Sequence, residues 1–297
     1  MSTDVPSRQR ANAGLDQNSD SLQIIIREGT SSRDPQVLII TPPAVVQSRD
    51  GTTIAYERSG AGPAVVLVAG AFCDRGWFES LAAELAADFT VYSYDRRGRG
   101  DSGDSRAFSI DAEVEDLRAV VAATGETPLV YGLSSGAALA LEAAAQAVPM
   151  RKLAVYEAPY MDDDQRDETA QSDLERLIAG GDREGAVTRF LDLTGASPEM
   201  VDEIKRSADW PDMCAIAHTL PYDVAVCDHG CQSLDWLASI TVPTLVMYGG
   251  DSGQWAPASA TRIAAKVSGT KTLEIPGQGH GVADDAIVPA LREFFSG

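Results

Sequence analysis

Ser134 lies between glycines in Gly132-Leu133-Ser134-Ser135-Gly136, where a strand-like run (Pro128 to Tyr131) meets an Ala-rich helical stretch ending near Ala147. A strand-to-helix turn this tight strains the central residue and needs small residues two before and two after it. Such a turn lifts the Ser134 hydroxyl clear of the sheet. It also leaves the Ser135 amide at the helix N-terminus, where the dipole favours a developing negative charge. The pattern therefore supplies a nucleophile and half of an oxyanion hole. A serine hydroxyl needs a base within hydrogen-bond reach and a carboxylate to orient that base. Of three histidines, His280 is the candidate, in the glycine-rich loop Pro276 to Gly281 just past the run Thr272 to Ile275. Asp251, in Gly249-Gly250-Asp251 past the run Thr244 to Tyr248, is the expected carboxylate. It is preferred over Glu157, at the end of Leu153 to Glu157, because a Gly-Gly-Asp context suits an exposed turn acid.

Three groups just past three strand-like runs require a sheet whose strand ends converge. From Val37 onward, short β-branched runs alternate with helical stretches, which predicts an α/β protein with a mostly parallel, doubly wound sheet. Ala44 to Gln47 and Thr53 to Arg58 flank Asp50-Gly51 and read as a hairpin. Ala64 to Ala69 is an unbroken apolar run, as expected of a strand buried on both faces. Trp77, Leu81 and Leu85 fall on one helical face, and Ser109 is placed to cap a helix whose apolar stripe is Ile110, Val114, Leu117 and Val121. The alternation stops over residues 159–237, which are mostly helical and polar. The predicted organisation is a mobile extension (1–35), a first core part (36–158), a helical cap (159–237) and a second core part (238–297).

The chain of 297 residues carries 44 Asp and Glu against 24 Lys and Arg, a net −20. Residues 160–236 alone hold 18 acidic against 6 basic side chains. So negative a surface repels phosphate backbones and anionic lipid, so the expected partner is a small molecule rather than nucleic acid or a membrane. No run approaches the ~18 apolar residues of a membrane span. No apolar stretch follows a basic start, so the expected location is cytoplasmic. Cys214, His218, Cys227, His229 and Cys231 gather soft ligands inside the cap, but their spacing matches no common zinc module. They are read, like Cys73, as filler cysteines and surface or pocket histidines, and Asp162-Asp163-Asp164 as a solvated helix start. No metal and no cofactor is expected.

The order Ser134, Asp251, His280, each past a separate strand, resembles the α/β-hydrolase superfamily, whose chain order is nucleophile, acid, histidine. Val68-Ala69-Gly70-Ala71-Phe72 corresponds to its oxyanion loop, often beginning His-Gly. Here Ala69 replaces the histidine, and Ala71, with Phe72 as neighbour, is the expected second amide donor beside Ser135. Asp95-Arg96-Arg97-Gly98-Arg99-Gly100-Asp101-Ser102 is similar to the family's Asp-x-Arg-Gly-x-Gly-x-Ser turn, and the insertion falls where the family carries its lid. Some members place the acid after the earlier strand, at the position of Glu157. Members that open epoxides or remove halide use Asp as nucleophile, and Ser134 argues against both. The resemblance implies a serine hydrolase for small neutral esters or lactones. The same fold also implies two alternatives: carbon–carbon hydrolysis, perhydrolysis or a lyase step on the same triad, and slow-turnover ligand binding.

Overall fold

The computed structural model describes residues 23–27, 36–40, 42–105, 108–160 and 167–297. Residues up to Pro43 form a unit of their own, in which β1 (Gln23–Arg27) pairs antiparallel with β2 (Gln36–Ile40). The extension expected over 1–35 thus contains a strand, built on the isoleucine run Ile24 to Ile26. The remainder of that stretch, and Asp162 to Asp164, lie outside the described residues.

In the second unit, β3 (Ala44–Gln47) and β4 (Thr53–Gly60) form the predicted hairpin, with Gly51 at φ +86° in its turn. The unbroken apolar run becomes β5 (Ala64–Val68), buried throughout. Next, a 3-10 turn (Arg75–Phe78) leads into α1 (Glu79–Leu85). Leu81 and Leu85 are buried on one helical face as expected, with Phe78 and Ala82 beside them, but Trp77 is 60% exposed. Trp77 sits in the tighter 3-10 turn, whose three-residue period rotates it off the α-helical stripe.

β6 (Thr90–Tyr94) and α2 (Ile110–Ala123) follow, the helix capped as predicted by Ser109 Oγ, which accepts from the Ala112 amide at 3.1 Å. Then come β7 (Leu129–Leu133), α3 (Ser135–Ala145) and β8 (Lys152–Tyr156). The cap supplies α4 (Ala170–Ala179), α5 (Arg183–Leu193), α6 (Pro198–Lys205), α7 (Trp210–Ala215) and α8 (Leu220–Gln232). The core closes with β9 (Thr244–Gly249), α9 (Trp255–Lys266), β10 (Lys271–Ile275) and α10 (Asp284–Ser296).

Among the described residues, β3 to β10 form one sheet in the order β10-β9-β8-β7-β5-β6-β4-β3. Strands β5 to β10 run parallel, and β3 and β4 join antiparallel at one edge. Alternate residues serve opposite faces. Val66, Val130 and Val155 pack with α2, α3 and α9, while Val65, Leu129 and Ala154 pack with α1 and α10. Strand order reverses between β5 and β7, the kind of switch point at whose carboxyl ends open α/β sheets place their sites. The cap has its own apolar cluster around Leu174, Val187 and Leu220. Helix α8 belongs to both layers: Leu220 lies in the cap cluster and Val226 in the core.

Candidate active site

Between β7 and α3 the chain reverses so sharply that Ser134 sits at φ +57°, ψ −125°. The flanking glycines are dictated by contact. A Cβ at Gly132 would lie 2.6 Å from the Gly136 carbonyl oxygen, and one at Gly136 would lie 2.2 Å from that of Val68. The Ser134 amide donates to the Tyr156 carbonyl at 2.9 Å, which ties the elbow to β8.

Beyond β10, the loop expected to carry the base delivers His280. Its Nε2 lies 3.0 Å from Ser134 Oγ. The loop is held by the Tyr156 hydroxyl, which donates to the Gly279 carbonyl at 2.6 Å.

The carboxylate on the other ring nitrogen is not Asp251. Glu157 Oε2 lies 2.6 Å from His280 Nδ1, and Asp251 is exposed, its backbone amide donating to the Gln278 carbonyl at 2.9 Å. Three features explain the exchange. Glu157 follows β8, next to β7, and a φ of +50° turns it inward. Its second oxygen accepts from the Gly249 amide at 2.8 Å and from the Ser252 hydroxyl. The Gly-Gly-Asp turn therefore serves the site through the amide of its first glycine, while its acid faces solvent. The Glu157 side chain is 0% exposed, against 51% for His280. Burial pushes its pKa up, but the hydrogen bonds from His280, Ser252 and Gly249 outweigh this and hold it below the usual carboxylate range. An ionised carboxylate only accepts, so His280 carries its proton on Nδ1 and turns the Nε2 lone pair to Ser134.

Gly70 packs against the elbow, a Cβ there falling 3.0 Å from Ser134 Cβ. Ala71 comes next after β5, and Ser135 opens α3; among the described residues, neither amide has a hydrogen-bond acceptor. Phe72, at φ +60°, sets its ring edge-on against Phe190 of α5 at 5.2 Å. Trp255 stands 5.9 Å from the His280 ring. Cys73 is buried, its thiol pushed up to about 12 by burial and bonded to the Ala71 carbonyl at 3.1 Å, so it stays neutral.

The Asp95–Ser102 turn buries Arg96, Arg97 and Arg99. Arg96 pairs with Glu113 (2.9 and 2.7 Å) and Arg97 with Asp116 (both 2.7 Å), two carboxylates of α2. Arg99 meets Asp223 of α8 at 2.7 and 2.8 Å. The sequence reading passed over Asp223. A signal was present: it is an acid three residues from both Leu220 and Val226, on the buried stripe of its helix.

The two histidines of the cap have separate neighbours. His229 bonds Glu142 of α3 and stacks on Trp236 at 5.2 Å, while His218 lies 3.9 Å from Asp104. Among the described residues, no group of three or more His, Cys, Asp or Glu is arranged to hold a metal. No helix among them is long and apolar enough to cross a membrane.

The model of the Alpha/beta hydrolase family matches residues 65–289, well over half of the chain. The chain belongs to this family. An alpha/beta hydrolase from Sphaerobacter thermophilus DSM 20745 is 46% identical, with TM-score 0.80 over 85% of this chain and all of that one. The fold also matches a thermophilic esterase from Thermogutta terrifontis (21% identity, TM-score 0.69, 86% of this chain and 98% of that one). It matches the enol-lactonase from Burkholderia xenovorans LB400 as well (19%, TM-score 0.67, 86% and 100%). The Uncharacterized hydrolase YraK of Bacillus subtilis (strain 168) is 33% identical over 96 residues, 31% of this chain and 35% of that protein. As an alpha/beta hydrolase, the chain carries the family fold, with helices α4 to α8 inserted between β8 and β9.

Proposed function

We propose that this hydrolase cleaves small neutral esters or lactones through an acyl-enzyme on Ser134, with His280 as general base and Glu157 in the role first assigned to Asp251. Ser134 Oγ attacks the substrate carbonyl carbon as its proton passes to His280 Nε2. The carbonyl π pair moves to oxygen, and the Ser135 and Ala71 amides hold the resulting oxyanion. Collapse expels the alkoxide, which takes the proton from His280 Nε2. Water then adds to the acyl carbon, giving its proton to His280, and the acid leaves as that proton returns to Ser134 Oγ. Throughout, Glu157 accepts from Nδ1–H and stabilises the imidazolium.

The observation that carries this reading is the continuous chain Ser134 Oγ, His280 Nε2, His280 Nδ1, Glu157 Oε2, with steps of 3.0 and 2.6 Å across the ring. The names of the esterase and enol-lactonase neighbours agree with it. The apolar Phe72 of the oxyanion loop, packed on Phe190, the Trp255 ring beside His280 and the acidic cap favour neutral over anionic substrates. A fluorophosphonate probe with peptide mapping, run beside a panel of p-nitrophenyl esters and lactones, tests it. Labelling at Ser134 with steady turnover is expected, and both vanish in Ser134→Ala while the circular dichroism is unchanged. Full activity in Ser134→Ala would overturn the assignment, and labelling without turnover would favour slow-turnover binding.

A further inference from the structure

We propose that Asp223, on cap helix α8, is a positioning residue that sets both halves of the oxyanion hole through Ser135, Arg96 and Arg99; this rests on the acyl-transfer reading above. Asp223 is fully buried. Its Oδ1 accepts from Ser135 Oγ at 2.7 Å, from Arg96 Nη1 at 2.8 Å and from Arg99 Nη2 at 2.8 Å. The two guanidiniums continue to the oxyanion loop: Arg96 Nη1 reaches the Ala69 carbonyl at 3.3 Å, and Arg99 Nη1 the Gly70 carbonyl at 3.0 Å. Arg96 Nη1 also donates to Ser135 Oγ at 3.1 Å.

The Gly70 carbonyl matters because it belongs to the same planar peptide as the Ala71 N–H. In a trans peptide these groups point in opposite directions, so fixing the oxygen on Arg99 fixes the direction of the amide hydrogen. A cation at the carbonyl also polarises the peptide and makes its N–H a stronger donor. On the other side, the Ser135 hydroxyl clamps the residue whose amide is the other donor. One carboxylate thus locks two peptide units from separate loops in a preorganised arrangement, the property an oxyanion hole requires. Charge balance explains the Arg99 pair, but it does not by itself call for the contacts to Arg96, which already has both Glu113 oxygens, and to the neutral Ser135 hydroxyl. Nor does stability, since a buried ion pair often contributes little against an apolar replacement.

The test compares Asp223→Asn and Ser135→Ala with wild type in the full-length protein. Readouts are kcat and KM on p-nitrophenyl acetate and the inhibition constant of an alkylboronic acid, which adds the Ser134 oxygen to form a tetrahedral anion. For Asp223→Asn, kcat should fall about 10²-fold with KM changed less than about threefold, and the boronate should weaken by the same factor as kcat. For Ser135→Ala, which loses one hydroxyl and keeps its amide, both should fall about tenfold. Wild-type kcat in a folded Asp223→Asn, or a kcat loss without boronate weakening, would overturn the proposal. If Asp223→Asn does not fold, Ser135→Ala decides by the same two readouts. A wild-type protein that neither turns over nor binds boronate at Ser134 would remove the nucleophile assignment and this proposal with it. That outcome is distinguishable, because it appears before any variant is compared.

Discussion

Two buried carboxylates lie beside the Ser134 turn and meet different partners, a histidine and two arginines. Glu157 is linked to Ser134 through His280, whose side chain is 51% exposed. Asp223 reaches Ser135 and the oxyanion loop directly and through Arg96 and Arg99, both buried. The difference follows from what each side must do. The proposed proton relay needs a group that takes and returns a proton while meeting substrate and water, which is a histidine in an exposed loop. A fixed electrostatic scaffold needs a charge that never leaves and a planar fork of donors, which is arginine in the interior.

The comparison is broken most severely on the relay side. His280→Ala is expected to lower kcat/KM about 10⁴–10⁶-fold with the thermal midpoint little changed; a loss under tenfold on ester substrates would show that the ring is not the base.

A smaller effect separates the glycines of the two regions. Gly136→Ala pushes a methyl into the Val68 and Ala69 carbonyls at 2.2 and 2.5 Å, whereas a Cβ at Gly281, beside His280, meets nothing within 4 Å. Urea unfolding should give Gly136→Ala a loss of about 3 kcal/mol and Gly281→Ala a change of less than about 0.5 kcal/mol. Equal losses would contradict the close approach at the elbow.

The smallest expected effect is pH-dependent. Glu157 is pushed up by burial but held lower overall by its hydrogen bonds, and Asp223 likewise by Arg99 and Arg96. A carboxylate whose folded pKa lies below its unfolded one adds stability above the unfolded value, about 4.5 for Glu, and loses it as pH falls through the folded value. The stability gap between wild type and Glu157→Gln should therefore be widest near neutral pH and narrow toward pH 3. A gap independent of pH would mean that the Glu157 charge is not what the site stabilises.

How much of this was legible in the sequence depends on how local each feature is. The elbow reads directly because its glycines, strand and helix are contiguous in the chain, even though only Gly132 is required by a contact within the turn and Gly136 is required by the distant Val68 carbonyl. The alternating strands and helices, the Ser109 cap and the Asp50-Gly51 hairpin are equally local. The acid was not legible: Glu157 and Asp251 each end a core strand, and choosing between them depends on how the β8 and β9 loops meet around His280. Part of what holds Glu157 in place is a backbone amide, from Gly249, and amides carry no signature in side-chain type. Trp77 failed for a related reason, since an α-helical period was applied across a 3-10 turn. Asp223 required the pairing of an acid in α8 with arginines 124 and 127 residues earlier in the chain, a separation that no motif spans.

The most direct test of the account is the rate of fluorophosphonate labelling at Ser134 in Glu157→Gln and Asp251→Asn, measured side by side at neutral pH. Labelling should slow about 10²–10⁴-fold in Glu157→Gln, which loses the acceptor that orients His280, and stay within about twofold of wild type in Asp251→Asn. The reverse pattern, with Asp251→Asn slow and Glu157→Gln unchanged, would contradict the relay through Glu157.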